Sequence, residues 1–392
     1  MPRRILIALA LACGGSSLFF TSWIVVPAPL YSLWLVAVGA SEWSLWFGAL
    51  GLAGVGLSLL ARAAGISRGW AWLALMTGAL SVLLSLFPPL NAWRVAGGRD
   101  LQLSLRRYFS GSDLGATAGR APVTFTYAMP EGRELKLDAY LPAAEQSQPR
   151  PAVVVVHGGS WGAGARSDFP RWDWWLAGEG FAVFDVDYRL APQPNWRTAT
   201  GDVKCAVGWV RENARRFNVD PQRVALYGRS AGGHLALLAA YSAGSTELPP
   251  SCAVADAGAQ AVVSFYGVTD LVWAYAHPAN QRVIDGPETL RRFTGGAPDD
   301  AADVYRLASP ASYVNGSTTP TLLFHGGRDQ LVRTENMDLL AARLEAAGVP
   351  YDCVRLAYAQ HGFDYNFDGW GSQIAQPLVA AFLRAHLSPP RQ

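Results

Sequence analysis

The chain divides into two hydropathy patterns. No charged residue occurs from Ile5 to Ser41; Glu42 then stands alone, Trp43 to Ala61 is uncharged, and after Arg62 and Arg68 the run from Gly69 to Trp93 is uncharged again. Runs of about 20 apolar residues match the hydrocarbon core of a bilayer. The pattern therefore predicts three membrane spans, at 5–26, 43–61 and 69–93. Pro27 and Pro29 close the first, where a helix would stop. Trp23, Trp43, Trp46, Trp70, Trp72 and Trp93 lie near the proposed ends, where indoles favour the lipid–water interface. The apolar stretch "LYSLWLVAVGA" before Glu42 leaves the second boundary open.

From Arg94 onward charges appear at ordinary density. Residues 94–120, rich in Arg, Gly and Ser, read as a linker or amphipathic collar. Strand-like runs then recur at 123–128, 134–141, 152–157, 181–188, 223–228, 261–267, 321–326 and 352–358. The first two alternate, as half-buried strands do, whereas "AVVVV" is continuous, as in a parallel strand covered on both faces. Helical stretches such as "DVKCAVGWVRENARRF", "AGGHLALLAAYSA" and "NMDLLAARLEAAG" separate the later strands. Strands alternating with helices imply an α/β domain built on a mostly parallel sheet. Its site is expected beyond the carboxyl ends of the strands.

Composition adds constraints. The chain is 51% hydrophobic and only 16% charged, a deficit concentrated in its first quarter. The membrane part carries Arg3, Arg4, Arg62 and Arg68 against Glu42, a net +3, which leaves −1 of the total +2 for the remainder. A near-neutral remainder gives no electrostatic case for nucleic acid. The four cysteines show no metal-ligand spacing, so no metal is expected; Cys205 and Cys252 could pair in an oxidising compartment. The short arginine-bearing flanks place residues 1–4 and 62–68 in the cytoplasm by the positive-inside rule. Three spans then put everything after Trp93 in the periplasm or outside the cell. Arg94, Arg99, Arg106 and Arg107 oppose this, but long translocated domains override such charge. Cleavage of a signal after Ala12, within "ALACGG", is the alternative for the first span; apolar residues continuing to Val26 favour an uncleaved one.

Gly228-Arg229-Ser230-Ala231-Gly232 is a Gly-x-Ser-x-Gly sequence set between the strand "RVALYG" and the helix "AGGHLALLAAY", the strand–turn–helix setting of a nucleophile elbow. A serine hydroxyl needs a base, and the base an orienting acid. His234, His277, His325, His361 and His386 follow Ser230. His234 lies within the helix, His277 in an insertion, His325 at a strand end and His386 near the end of the last helix. His361, in "AQHGFDY" just after the last strand, is the expected base. Asp329, in "HGGRDQLV", is the preferred acid, with Asp270 in "FYGVTD" as its competitor. Acyl transfer also needs preorganised N–H donors. The glycine-rich "HGGSWGAG" after "AVVVV" supplies the Gly159 and Ser160 amides, and Ala231 supplies a third; His157 then fixes the loop.

The set "HGGSWGAG", "DYRLAPQ", "DPQRVALYGRSAGGHLA", "HGGRDQLV" and "HGFD" resembles the α/β-hydrolase carboxylesterases over residues 121–388. It is most similar to the branch with His-Gly-Gly-x-Trp-x-x-Gly, which includes acetylesterases, feruloyl-esterase-like proteins and prenylcysteine methylesterases. The resemblance implies an α/β-hydrolase fold with a mostly parallel eight-stranded sheet; the hydropathy pattern places the transmembrane helical segment at 1–93 before it. It implies Ser230 as nucleophile, Asp329 as acid, His361 as base, and Gly159, Ser160 and Ala231 as the oxyanion hole. Residues 268–318 form the insertion expected to line the substrate pocket, and Trp161 is a candidate wall. Ser160 stands where the hormone-sensitive-lipase branch has a third glycine, which argues against that branch. "YAQHGF" also lacks the glycine often found before this histidine. The expectation is a cofactor-free, membrane-anchored serine carboxylesterase acting on a small-molecule ester of short-chain, acetyl or lipid-like type, with the bilayer as its other partner. A serine peptidase of related fold, or an inactive hydrolase fold serving as a binding module, are the alternatives.

Overall fold

A computed structural model of the chain describes residues 3–65, 68–112, 121–142 and 148–388. Its N-terminal part comprises helices α1 (Arg3–Ser22), α2 (Tyr31–Glu42), α3 (Ser44–Ala63), α4 (Arg68–Ser85), α5 (Phe87–Gly97) and α6 (Leu105–Ser110). Three stretches, Arg4–Ser22, Ser44–Ala63 and Gly69–Gly97, are helical and apolar enough to cross a membrane. The first helix stops at Ser22 instead of continuing to residue 26, and the third stretch breaks at Leu86, just before Pro88 and Pro89. The apolar run before Glu42 is a separate helix, α2. Small residues hold α1, α3 and α4 together: a methyl group on Gly54 would meet the backbone of Gly14, and one on Gly78 that of Gly51. Thr21 Oγ1 donates to Ser81 Oγ at 3.0 Å, and Ser17 Oγ donates to the Phe47 carbonyl at 2.6 Å, so these three hydroxyl groups inside the bundle are paired.

The remaining chain forms one eight-stranded sheet of β1 (Val123–Ala128), β2 (Leu135–Tyr140), β3 (Arg150–Val156), β4 (Ala182–Val186), β5 (Val219–Arg229), β6 (Ala261–Phe265), β7 (Thr321–Gly326) and β8 (Tyr351–Leu356), in spatial order 1-2-4-3-5-6-7-8. β1 and β2 are antiparallel; β4, β3 and β5 to β8 are parallel. From Ala152 to Val156, β3 is apolar because both faces are covered. Val154 and Val156 enter a core with α8 (Trp196–Glu212), α9 (Ala231–Tyr241) and α13 (Glu335–Ala346), whereas Val153 and Val155 enter one with α7 (Pro170–Gly178) and α14 (Trp370–His386). Val156 pairs with Gly228, and Arg229 with Phe265, so the central strands end together and project their loops to one side.

Segment 94–112 is docked on this domain. Tyr108 stacks on Trp370 with ring centroids 4.5 Å apart, Arg107 Nε donates to Asp368 at 2.8 Å, and Arg99 pairs with Asp352 at 2.6 Å. The rest of the expected linker, 113–120, lies outside the described residues. Between β6 and β7, α10 (Leu271–Ala276), α11 (Gly286–Thr294) and α12 (Ala302–Leu307) form the inserted cap. Cys205 of α8 is bonded to Cys252, with Cα atoms 5.5 Å apart.

Candidate active site

Ser230 sits at the turn from β5 into α9, with φ 53° and ψ −121°, a conformation sparsely populated by residues with a Cβ. Its N–H donates to the Phe265 carbonyl at 2.9 Å, tying the turn to β6. The flanking glycines are dictated by contact. A methyl on Gly232 would run into the carbonyls of Val156 and His157, at the end of β3. Ser230 Oγ is thereby presented to the loops that follow β7 and β8.

His361, after β8, lies with Nε2 2.8 Å from Ser230 Oγ and Nδ1 2.7 Å from Asp329 Oδ2. The side chain of Asp329 is fully buried beyond β7; its other oxygen accepts the Leu331 and Val332 N–H groups at 2.8 and 2.9 Å. Burial alone would raise its pKa, but His361 and His325 hold its carboxyl well below the usual carboxylate range. The acid is therefore an anion wherever the histidine needs orienting. Asp270, the competing acid, instead caps α10 by accepting the Trp273 N–H at 3.0 Å and faces Arg343 at 3.3 Å.

The loop after β3 is tightly wound. Gly159 has φ 113°, and its carbonyl accepts from Gly162 and Ala163 at 3.1 and 2.9 Å; a methyl there would strike the Ala163 carbonyl. Ser160 and Trp161 follow at φ 52° and 58°, left-handed values that are uncommon outside glycine. Among the described residues, no acceptor within the chain takes the N–H of Gly159, Ser160 or Ala231, and Ser160, Ser230 and Ala231 line one cavity together. Three free amides beside the serine can receive an oxyanion. His157 braces this loop: its Nδ1 lies 2.7 Å from the Gly158 carbonyl and its ring stacks on Tyr188 at 4.4 Å. Burial pushes its imidazole pKa down.

The other histidines are engaged elsewhere. His234 accepts the Trp161 indole N–H at 3.1 Å and donates to the Ala308 carbonyl at 2.8 Å; burial lowers its pKa to about 4. Trp161 itself is buried, stacked on Phe293 at 4.2 Å, and forms the floor of the cavity beside Ser230. His277 reaches the rim of that cavity, and His386 lies at the end of α14.

Sequence reasoning did not anticipate four contacts. His325 Nε2 lies 3.2 Å from Asp329 Oδ2 and 3.0 Å from the Val332 carbonyl, so it holds the acid and its loop at once. Arg229, next to the nucleophile, forms a buried ion pair with Asp364, whose other oxygen accepts the Tyr266 hydroxyl; this pair ties the elbow to the histidine loop. Gln330 and Gln360, each adjacent to a site residue, are bonded to each other at 3.2 Å. Finally, Tyr31 and Trp34 of α2 line a cavity that also touches Ser230 and His361. Three of these contacts join residues far apart in the sequence, so nothing local marks them; the one between His325 and Asp329 spans four residues but depends on how the turn after β7 folds back.

Two cavities meet at Ser230. One, of about 70 Å³, is walled by Trp161, Val268, Ala274, Ile284, Leu290 and Leu331, most of them from the inserted cap. The other, of about 290 Å³, holds His361, Tyr266, Tyr365, Phe169, Tyr31 and Trp34. Among the described residues no cluster of His, Cys, Asp or Glu could hold a metal ion.

The sequence profile of the BD-FAE family matches residues 137–344. Esterase LipC of Mycobacterium tuberculosis is 33% identical over 260 residues, covering 63% of this chain and 61% of LipC. The isoprenylcysteine alpha-carbonyl methylesterase ICME of Arabidopsis thaliana is 26% identical over 278 residues, covering 66% and 63%. The chain thus spans about three fifths of these curated relatives. A solved structure of a thermophilic esterase from Thermogutta terrifontis, Est2, superposes with a TM-score of 0.58 at 28% identity, covering 71% of this chain and 96% of that one. With a family match over more than half its length and this structural likeness to an esterase, the chain belongs to the BD-FAE family and has the α/β-hydrolase fold.

Proposed function

We propose that the protein is a membrane-anchored serine carboxylesterase. The observation that carries this reading is the continuous line Ser230 Oγ–His361 Nε2 at 2.8 Å and His361 Nδ1–Asp329 Oδ2 at 2.7 Å, beside three uncommitted amides. His361 takes the Ser230 proton as Oγ attacks the ester carbonyl, and the oxyanion is received by the Gly159, Ser160 and Ala231 N–H groups. The alcohol leaves with the proton from His361, and water then releases the acid by the same route. Asp329, ionised and buried, stabilises the imidazolium that forms between these steps. The esterase names of LipC, ICME and Est2 support the reaction class.

The helices α1, α3 and α4–α5 are read as three spans, with residues 94–388 in the periplasm or outside the cell. Two observations support this orientation. Arg4 and Arg62 belong to the end of the bundle remote from the sheet, as the positive-inside rule expects for a cytoplasmic end. The Cys205–Cys252 disulfide suits an oxidising compartment.

The test is turnover of aryl esters and matched peptide amides by purified protein and by Ser230→Ala. Ester hydrolysis that disappears in the variant is the expected result. Ester turnover surviving Ser230→Ala overturns the nucleophile assignment, and preference for amides overturns the esterase reading. Reporter fusions after residues 65 and 100 check orientation, with a cytoplasmic signal expected only at 65.

A further inference from the structure

The two loops that complete the site stand directly on the exits of the helical bundle. On one side, the Val25 carbonyl, three residues beyond the end of α1, accepts from Arg328 Nη1 at 3.1 Å. Ala28 N–H donates to Gln330 Oε1 at 2.8 Å. Asp329 is thus bracketed by residues touching chain that has only just left the first span. On the other side, Phe87 of α5 stacks on Tyr358 at 5.2 Å, and Asn91 Oδ1 accepts the Ala357 N–H at 2.9 Å, close ahead of His361. Trp34 of α2 then packs with Ala28, Val283 and Leu331, which makes the segment between α1 and α3 a wall of the larger cavity.

The outer surface of this wall is apolar. Val26, Leu30, Tyr31 and Leu35 are exposed, and Trp43, Trp46, Trp93 and Phe109 are exposed at the same end of the bundle. Aromatic residues at the end of a span mark the lipid–water boundary. The mouth of the site lies at that level because its wall begins a few residues after Ser22, and a chain advances at most about 3.5 Å per residue.

Chemistry fixes which cavity takes which half of an ester. The leaving oxygen must receive its proton from His361 Nε2, so the alcohol lies on the histidine side, in the cavity of about 290 Å³ bordered by Tyr31 and Trp34. The acyl group lies opposite, in the smaller pocket of about 70 Å³ lined by Trp161, Val268 and Leu290, which suits a short chain.

We infer that the substrate is a short-acyl ester of a lipid-like alcohol, drawn from the protein's own bilayer; this rests on the esterase reading above. The acyl carbon bonds to Ser230 Oγ as its bond to the alcohol oxygen breaks, and that oxygen takes the proton held by His361. The lipid alcohol returns to the membrane past Tyr31. Water then cleaves the acyl–serine ester and a short carboxylic acid leaves to solvent.

The experiment uses full-length protein in phosphatidylcholine vesicles with 1,2-dipalmitoyl-3-acetylglycerol as probe, placed either in the same vesicles or in separate protein-free ones. Aryl acetate turnover in water is measured on the same preparation. The expected result is acetate release at least tenfold faster from the same vesicles than from separate ones, without palmitate release. Replacing Leu30 and Leu35 by Asp is expected to lower the ratio of lipid to aryl acetate turnover at least fivefold. Equal rates from both vesicle populations, no acetate release from either, or an unchanged ratio in the variant each overturn the bilayer-facing mouth while aryl acetate turnover persists. Palmitate release matching acetate overturns the assignment of the two cavities. Loss of aryl acetate turnover itself refutes the underlying esterase reading instead.

Discussion

Gln330 donates its side-chain N–H to Gln360 Oε1 at 3.2 Å while its own Oε1 accepts the Ala28 N–H at 2.8 Å. The two glutamines flank Asp329 and His361 in sequence, so one amide ladder couples acid loop, base loop and the segment that follows α1. Both side chains are buried. The resemblance to the α/β-hydrolase carboxylesterases leads one to expect glycine at position 360, and the ladder gives Gln360 a structural reason.

Replacing Gln360 by Gly therefore removes a positioning contact and leaves the catalytic groups themselves intact. A neutral buried hydrogen bond is worth about 1 kcal/mol. If that energy holds His361 in register, kcat for a water-soluble acetate ester falls roughly fivefold with KM little changed. Steady-state kinetics on the Gln360→Gly and Gln330→Ala proteins check this. A change confined to KM, or none at all, contradicts the positioning role.

The choice between two carboxylates makes a sharper contrast. Asp329 reaches His361 Nδ1 and is held by two backbone N–H groups, whereas Asp270 caps α10. Asp329→Asn keeps the shape of the site but loses the charge that stabilises the imidazolium. Its kcat is expected to fall by on the order of 10³–10⁴, as for other triads deprived of this anion. Asp270→Asn retains a capping oxygen and should leave kcat within about twofold, with at most about 1 kcal/mol lost in stability. The reverse ranking in parallel assays would reassign the acid.

Which features were readable in advance follows from their range. The eight strands announce themselves as short apolar runs, and Ser230, Asp329 and His361 are each placed by the strand end just before them. The geometry then brings these three together. By contrast, α2 reads as a continuation of the membrane pattern, because an apolar run of 12 residues has the same composition whether it faces lipid or packs beside a pocket. Only its long-range partners, Val283 and Leu331, separate the two outcomes. His325 reads as a plain strand terminus, since its contact with Asp329 depends on how the intervening turn folds back.

A buried acidic pair away from the site makes stability depend on pH. Asp173 of α7 and Asp185 of β4 are both buried; among the described residues neither Asp173 oxygen accepts a hydrogen bond, and Asp185 accepts one, from the Ser167 N–H at 2.7 Å. Burial raises both pKa values, with the charge of Arg229 opposing it at Asp173; Asp173 reaches about 7, and its charge lifts Asp185 further. The folded state therefore binds protons that the unfolded chain has released, so stability falls as pH rises. The contribution is fully present below the ordinary carboxylate range and is lost as pH passes through about 7 for Asp173. Asp173→Asn should flatten this slope and raise the melting temperature at pH 8 more than at pH 5. Thermal unfolding in detergent at both pH values tests it; equal shifts, or a larger gain at pH 5, would refute the charge argument.

The disulfide between Cys205 and Cys252 joins two positions 47 residues apart, crossing from α8 to the segment that follows α9. Closing a loop of that length in the unfolded chain is worth about 4 kcal/mol in the chain-entropy model. Cys205 is fully buried against the α8–α9 side of the sheet, so the bond also pins the helix that packs beside the nucleophile's own helix. Thiol titration of denatured, unreduced protein should count two free cysteines, Cys13 and Cys353, and four after reduction. Cys252→Ser should lower the unfolding temperature by many degrees while leaving kcat near wild type at temperatures where the variant stays folded, because neither sulfur lines the cavities at Ser230. Four free thiols in protein isolated without reductant would contradict both the bond and the oxidising compartment it supports. A variant as stable as wild type would show that loop closure contributes little here.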